Sequence, residues 1–199
     1  MTIARMLFSL IRSWILPRSG ADSAPLRLHV GGQVAHPDWK IFDVRPGSHV
    51  DFVGDCTDLS RFASGSVAEI YASHVLEHLG YVDELPRTLR EFHRVLVPGG
   101  RLRASVPDLD VLCPLFADAA LSFEERVHVM RMMFGGQANP ADFHKVGLNE
   151  QFLRDFLQAA GFTDVVRTDD FGAFEDSSAI VFRGRRISLN LSAHKPAGA

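Results

Sequence analysis

A chain of 199 residues, 46% of them apolar, is long enough to bury one substantial core and too short for two. Its formal net charge of −3 gives no global attraction to nucleic acid or to an anionic membrane, so no nucleic-acid partner is expected. Two cysteines, Cys56 and Cys113, exclude a disulfide framework and a cysteine-rich zinc site, and a reducing, cytoplasmic setting fits them.

The first unit, residues 1–20, is an amphipathic stretch. Ile3, Met6, Leu7, Leu10 and Trp14 recur at helical spacing opposite Arg5, Ser9, Arg12 and Ser13, which predicts a helix over 2–16 ended by Pro17. Arg12 interrupts the apolar run too early for a secretory leader, and the run is too short to span a bilayer. The helix is expected to pack on the domain formed by 21–199. A membrane-surface or partner-binding helix is the alternative.

Short apolar runs follow at Leu26–Val30, Lys40–Val44, Val50–Gly54, Glu69–Val75 and Arg101–Val106, and these read as strands. Between the last two lies a helix with Asp83 as N-cap, Pro86 in its first turn, apolar Leu85, Leu89, Phe92 and Leu96, and a Pro98-Gly99-Gly100 stop. That βαβ unit makes its two strands parallel. A second helix begins at Ser122, where Ser-Phe-Glu-Glu has the capping-box pattern, and ends near Phe134. A third runs from Asn149 to Gly161. Strand-like text returns at Asp164–Thr168, Ser178–Phe182 and around Ile187, Leu189 and Leu191, where an antiparallel edge is expected. The predicted fold is α/β: a three-layer sandwich with a mostly parallel sheet and an antiparallel C-terminal strand. Its helices between the first strands are reduced, because residues 31–39 reach roughly 30 Å when extended and cannot include a packed helix.

The first strand runs directly into Gly31-Gly32-Gln33. Glycines there let a ligand approach the backbone, and ligands of open α/β sheets bind at the carboxyl ends of strands. Asp43 closes the second strand, where a carboxylate can accept from ribose hydroxyls. Asp55 follows the third and can accept from an adenine amino group, a turn or cap being the other reading for Asp55 and Asp58. Asp108 ends the fifth strand, facing either the cleft or a turn. His74-Val75-Leu76-Glu77-His78 matches the His-x-x-Glu-His pattern of inverted zinc peptidases, but strand-like text before it and Gly80 after it deny the long helix that pattern needs, so no metal is expected. The Met130-Arg131-Met132-Met133-Phe134 run reads as core or pocket wall.

Taken in order, Gly31-Gly32, Asp43, Asp55, Ser73-His74-Val75-Leu76-Glu77-His78-Leu79 and Arg94-Val95-Leu96-Val97-Pro98-Gly99-Gly100 resemble a class I S-adenosylmethionine-dependent methyltransferase, in particular small bacterial ones. Phe143-His144-Lys145 and Ala160-Gly161-Phe162 extend the likeness towards the C-terminus. The resemblance implies S-adenosylmethionine as cofactor, held by Gly31, Gly32, Asp43, Asp55, Cys56 and Ser73, with S-adenosylhomocysteine as product. It also implies His74, His78 and His144 for acceptor binding or proton removal, and a small-molecule or glycan acceptor. The chain departs from the family pattern at the shortened glycine turn. A non-catalytic scaffold of this fold with a decayed cofactor site is therefore the alternative.

Overall fold

The computed structural model describes residues 25–198, so the helix expected over 2–16 and the boundary at residue 20 lie outside them. In chain order the strands are β1 (Leu26–Val30), β2 (Lys40–Asp43), β3 (Phe52–Val53), β4 (Val67–Ser73), β5 (Leu96–Pro107), β6 (Thr163–Thr168), β7 (Val181–Phe182), β8 (Arg185–Arg186) and β9 (Ser188–His194). The helices are α1 (Glu84–Val95), α2 (Leu109–Ala117), α3 (Phe123–Phe134) and α4 (Glu150–Ala159). Seven strands form one sheet in the order β3-β2-β1-β4-β5-β9-β6, all parallel except β9. This is the expected α/β architecture.

The antiparallel strand, however, is not the edge. β9 sits between β5 and β6, and its Leu189, Leu191 and Ala193 are fully buried. Such an apolar strand is a poor edge, whereas the largely exposed β6, with Asp164 and Arg167, suits one. Ser178–Phe182 does not join this sheet, and only Val181–Phe182 of it is a strand. The Asp176 carboxylate accepts from the Ser178 N–H and turns the chain into a short 3₁₀ segment, after which β7 pairs only with β8.

Helix α1 forms because Leu85, Leu89, Phe92 and Val95 fall on one stripe, and all four are buried against the sheet and against Leu153 and Leu157 of α4. Each such burial contributes roughly 1.5–3 kcal/mol. Asp83 sits at the N-cap without a side-chain bond; the Glu84 carboxylate instead accepts from Gly80 N–H at 2.7 Å. The helix stops at Val95, but Pro98-Gly99-Gly100 is no loop. It is a bulge within β5, which shifts register between Val67 and Glu69 while Gly99 takes φ +77°. The capping box of Ser122 and Glu125 and the Asn149 cap form as expected. Helix α2 was not expected, since it is short and contains Pro114. Asp108 starts it by accepting from Asp110 N–H, a cap role that settles the choice left open between cleft and turn.

No helix separates β1 from β2 or β2 from β3. On the face opposite α1 and α4, the exposed side of these strands is closed by aromatic side chains instead. His29 and Tyr71 lie against Phe174, with ring centroids 4.1 and 4.7 Å away, and Trp39 and Phe171 join them. Tyr71 Oη donates to Asp176 Oδ2 at 2.9 Å. Farther along this face the buried Glu69 carboxylate receives Arg101 at 2.7 Å and Arg103 at 2.9 Å, with Arg27 at 3.7 Å. Helices α2 and α3 pack on each other and on Ile187 in a second cluster. Among the described residues no helix is long and apolar enough to cross a membrane.

Candidate functional site

The carboxyl ends of β1, β2 and β3 meet at one rim. Gly31 has φ +75°, and its N–H donates to Phe42 O at 2.9 Å, which ties the turn to the end of β2. A Cβ here would lie 2.6 Å from Val75 Cγ2, so conformation and space both demand glycine and leave bare backbone at the rim. Gly32 serves the opposite side, where a Cβ would meet the His29 ring at 2.8 Å. Asp43 is largely buried; its Oδ1 accepts from Arg45 N–H at 2.7 Å, and no hydrogen bond among the described residues reaches Oδ2. Asp55 is exposed and caps its own turn by accepting from Thr57 N–H at 2.8 Å. Burial pushes the Cys56 thiol up to about 12, so it is a neutral, packing group.

Where β4 ends, the backbone turns sharply. His74 has φ +54°, a conformation that strains a side-chain-bearing residue and that concentrates at functional sites. The turn feeds the 3₁₀ segment Leu76–His78, which buries Glu77 to 1% exposure. The backbone N–H groups of Lys145 and Val146 both donate to the Glu77 carbonyl, at 2.8 and 3.2 Å, and this draws the segment before α4 onto the corner. His144 thereby comes to lie beside His78, with ring centroids 4.8 Å apart, and its Nε2 stands 3.9 Å from Glu77 Oε1. His74 Nδ1 approaches the same oxygen at 3.2 Å. Burial lowers the pKa of His144 while the Glu77 carboxylate raises it, and burial prevails.

These two groups of residues share one cavity of about 430 Å³, within the usual range for a small-molecule site. Gly31, Asp43, Asp55, Cys56, His74 and His78 line it. Gly32, Ser73 and His144 do not: the buried Ser73 hydroxyl has no partner among the described residues, and His144 packs against His78. Sequence reasoning missed Glu77 as a site group and the Asn139-Pro140-Ala141-Asp142 stretch as the cavity's other wall. The turn-forming Asn-Pro before His144 was the available signal for that wall. The burial of Glu77 had none.

Comparison with known proteins agrees with this geometry. Residues 35–104 match the family model described as a methyltransferase domain. No protein of curated function matches the sequence. A possible exported protein from Bordetella parapertussis superposes with a TM-score of 0.54 at 15% identity, over 87% of this chain and 62% of that one. An S-adenosylmethionine-dependent methyltransferase from Archaeoglobus fulgidus gives 0.55 at 15% identity over 85% of each chain. The 1,6-didemethyltoxoflavin-N1-methyltransferase of Burkholderia thailandensis, solved with 1,6-didemethyltoxoflavin and S-adenosylhomocysteine, gives 0.50 at 19% identity over 86% of this chain and 72% of that one. The chain spans less than two thirds of the Bordetella protein and about half of some other structures it matches. At these identities the likeness establishes the fold.

Proposed function

We propose that the chain is a class I S-adenosylmethionine-dependent methyltransferase and that the cavity is its methyl-transfer site, with S-adenosylmethionine along Gly31, Asp43, Asp55 and Cys56 and the acceptor beside His74 and His78; the methyltransferase-domain match and the shared fold support this reading. The observation that carries this reading is the single cavity joining strand-end carboxylates to a histidine corner. The residues fit the cofactor. Asp43 keeps Oδ2 for a ribose diol, Asp55 stands at the rim for an adenine amino group, and the bare backbone at Gly31 leaves room for the methionine part. When bound, S-adenosylmethionine supplies an electrophilic sulfonium methyl.

The chain's own contribution is orientation and proton handling. Methyl transfer from a sulfonium asks the protein chiefly to align donor and acceptor, and to take up the acceptor's proton where there is one. His78 opens on the cavity, and His144 packs against that ring. A net charge of −3 favours a small molecule or glycan over nucleic acid as acceptor, and the two free cysteines fit a reducing, cytoplasmic setting.

Calorimetric titration with S-adenosylhomocysteine tests the cofactor half directly. Asp43→Ala should weaken binding by about 1–3 kcal/mol through loss of charge-assisted hydrogen bonds. Equal binding by wild type and variant would remove Asp43 from the site. A wild type that binds neither S-adenosylmethionine nor S-adenosylhomocysteine would favour the non-catalytic scaffold.

A further inference from the structure

We propose that Glu77, His78 and His144 form a binding site for one divalent transition-metal cation at the histidine corner, reached from the cavity through His78. Their ligand atoms all lie within 4.8 Å of one another. Donors on one such cation, each about 2.0–2.2 Å from it at near-tetrahedral angles, stand about 3.3–3.6 Å apart. Side-chain rotations that draw the three together by up to about 1.5 Å therefore close the site.

The carboxylate is the first argument. Glu77 is buried to 1% exposure, and neither Oε1 nor Oε2 accepts a hydrogen bond among the described residues. A buried carboxylate left so costs several kcal/mol unless a positive group compensates it. Among the described residues no arginine or lysine is paired with it; the groups gathered round it are imidazoles.

The ring tautomers are the second. His144 Nδ1 lies 3.2 Å from Met133 O, and His78 Nδ1 lies 3.1 Å from Phe143 O. A carbonyl only accepts, so each ring carries its hydrogen on Nδ1 and leaves a lone pair on Nε2. Histidines fixed by a carbonyl in this way are the ones metal sites use. Ser188 Oγ donates its one hydrogen to Ser177 O, so His74 Nε2 must donate to Ser188 Oγ at 2.9 Å. His74 Nδ1 stands 3.2 Å from Glu77 Oε1, while Oε2 has no hydrogen-bond partner among the described residues.

One carboxylate and two imidazoles suit zinc, iron or manganese and leave coordination positions for an outside ligand. His78 lines the cavity, so those positions open on it. The ligand class this implies is an acceptor that offers oxygen, and that last step alone rests on the reading of the cavity as a methyl-transfer site. The sequence expectation of no metal came from the peptidase pattern, which needs a long helix. That helix is indeed missing, since His74 is in a left-handed turn, but His144 arrives from the segment before α4 and completes a different donor set.

The test uses full-length protein stripped with a chelator and then titrated with Co²⁺ and Mn²⁺. We expect one cation per chain, visible absorption bands of nitrogen- and oxygen-bound Co²⁺, and a raised Tm. His78→Ala and His144→Ala should each weaken Mn²⁺ binding by at least about 10-fold, and Glu77→Gln should abolish it. His78, partly exposed, is the variant least exposed to a folding defect, and circular dichroism checks each variant. Stripped wild type that takes up neither cation at millimolar concentration overturns the proposal, as does unchanged affinity in both histidine variants. Titration of the same samples with S-adenosylhomocysteine separates the two readings: cation binding without it would sink the methyl-transfer site and leave the metal site standing, and the reverse outcome would do the opposite.

Discussion

The two faces of the sheet are closed by different means. On one, α1 and α4 lay Leu85, Leu89, Phe92, Leu153 and Leu157 on apolar strand residues, and cohesion is a matter of area removed from water. On the other, over β1 and β4, the cover is the segment after β6, whose Phe171 and Phe174 meet His29, Trp39 and Tyr71, with hydrogen bonds and the Glu69 arginines alongside. The helical face should be intolerant of lost volume, although burial also lowers the pKa of His93 on it. The aromatic face should be the more pH-dependent of the two.

The largest effect should come from Phe92→Ala on the helical face. Its fully buried ring has no room to be replaced by solvent, and the loss should be about 3–5 kcal/mol, read from the midpoint of urea unfolding. A loss under about 1 kcal/mol would mean that α1 is not part of the cooperative core.

A smaller effect, centred on the other face, should follow pH. Burial lowers His29 from 6.5 to about 4. In the unfolded chain the ring takes up its proton near 6.5, so between 6.5 and 4 the unfolded state binds more protons and stability falls as pH falls. The contribution of His29 is complete above pH 6.5 and is lost on the way down to 4, about 3 kcal/mol in all. Urea midpoints across that window should slope in the wild type and slope less in His29→Gln, the remainder coming from groups such as His93 and His144 whose pKa burial also lowers. The Phe92→Ala variant should keep the wild-type slope; if it does not, the two faces are coupled.

The smallest change should be Tyr71→Phe, which leaves the ring stack intact and removes only the hydroxyl that donates to Asp176. We expect about 1 kcal/mol by thermal unfolding. A much larger loss would show that the hydrogen bond, and not the stacked rings, holds the segment down.

What could be read from the sequence follows the same division. The stripe on α1, the box of Ser122 and Glu125 and the Asn149 cap depend on neighbours within a turn or two, so their text is local and legible. Asp43 was legible for a related reason, since a carboxylate closing a short apolar run has few places to be but a strand end. The aromatic cover depends on rings more than a hundred positions apart, and nothing near Tyr71 announces Asp176. β9's place between β5 and β6 is likewise decided by which strands share an apolar face. The approach of His144 to Glu77 rests on two backbone hydrogen bonds from Lys145 and Val146, and backbone bonds leave no mark on residue choice.

The placement of β9 also fixes when the sheet can be finished. β5 offers a strand of 12 residues, and its second neighbour is not synthesised until residues 188–194 are made. At about 5–20 residues per second, the roughly 80 residues between them take on the order of 4–16 s to emerge. Throughout that interval the nascent chain carries an unpaired edge bearing Leu102, Ala104 and Val106, long and apolar enough to recruit a neighbour on the same message. Yield in a crowded cell should therefore depend on how quickly the ribosome clears that stretch.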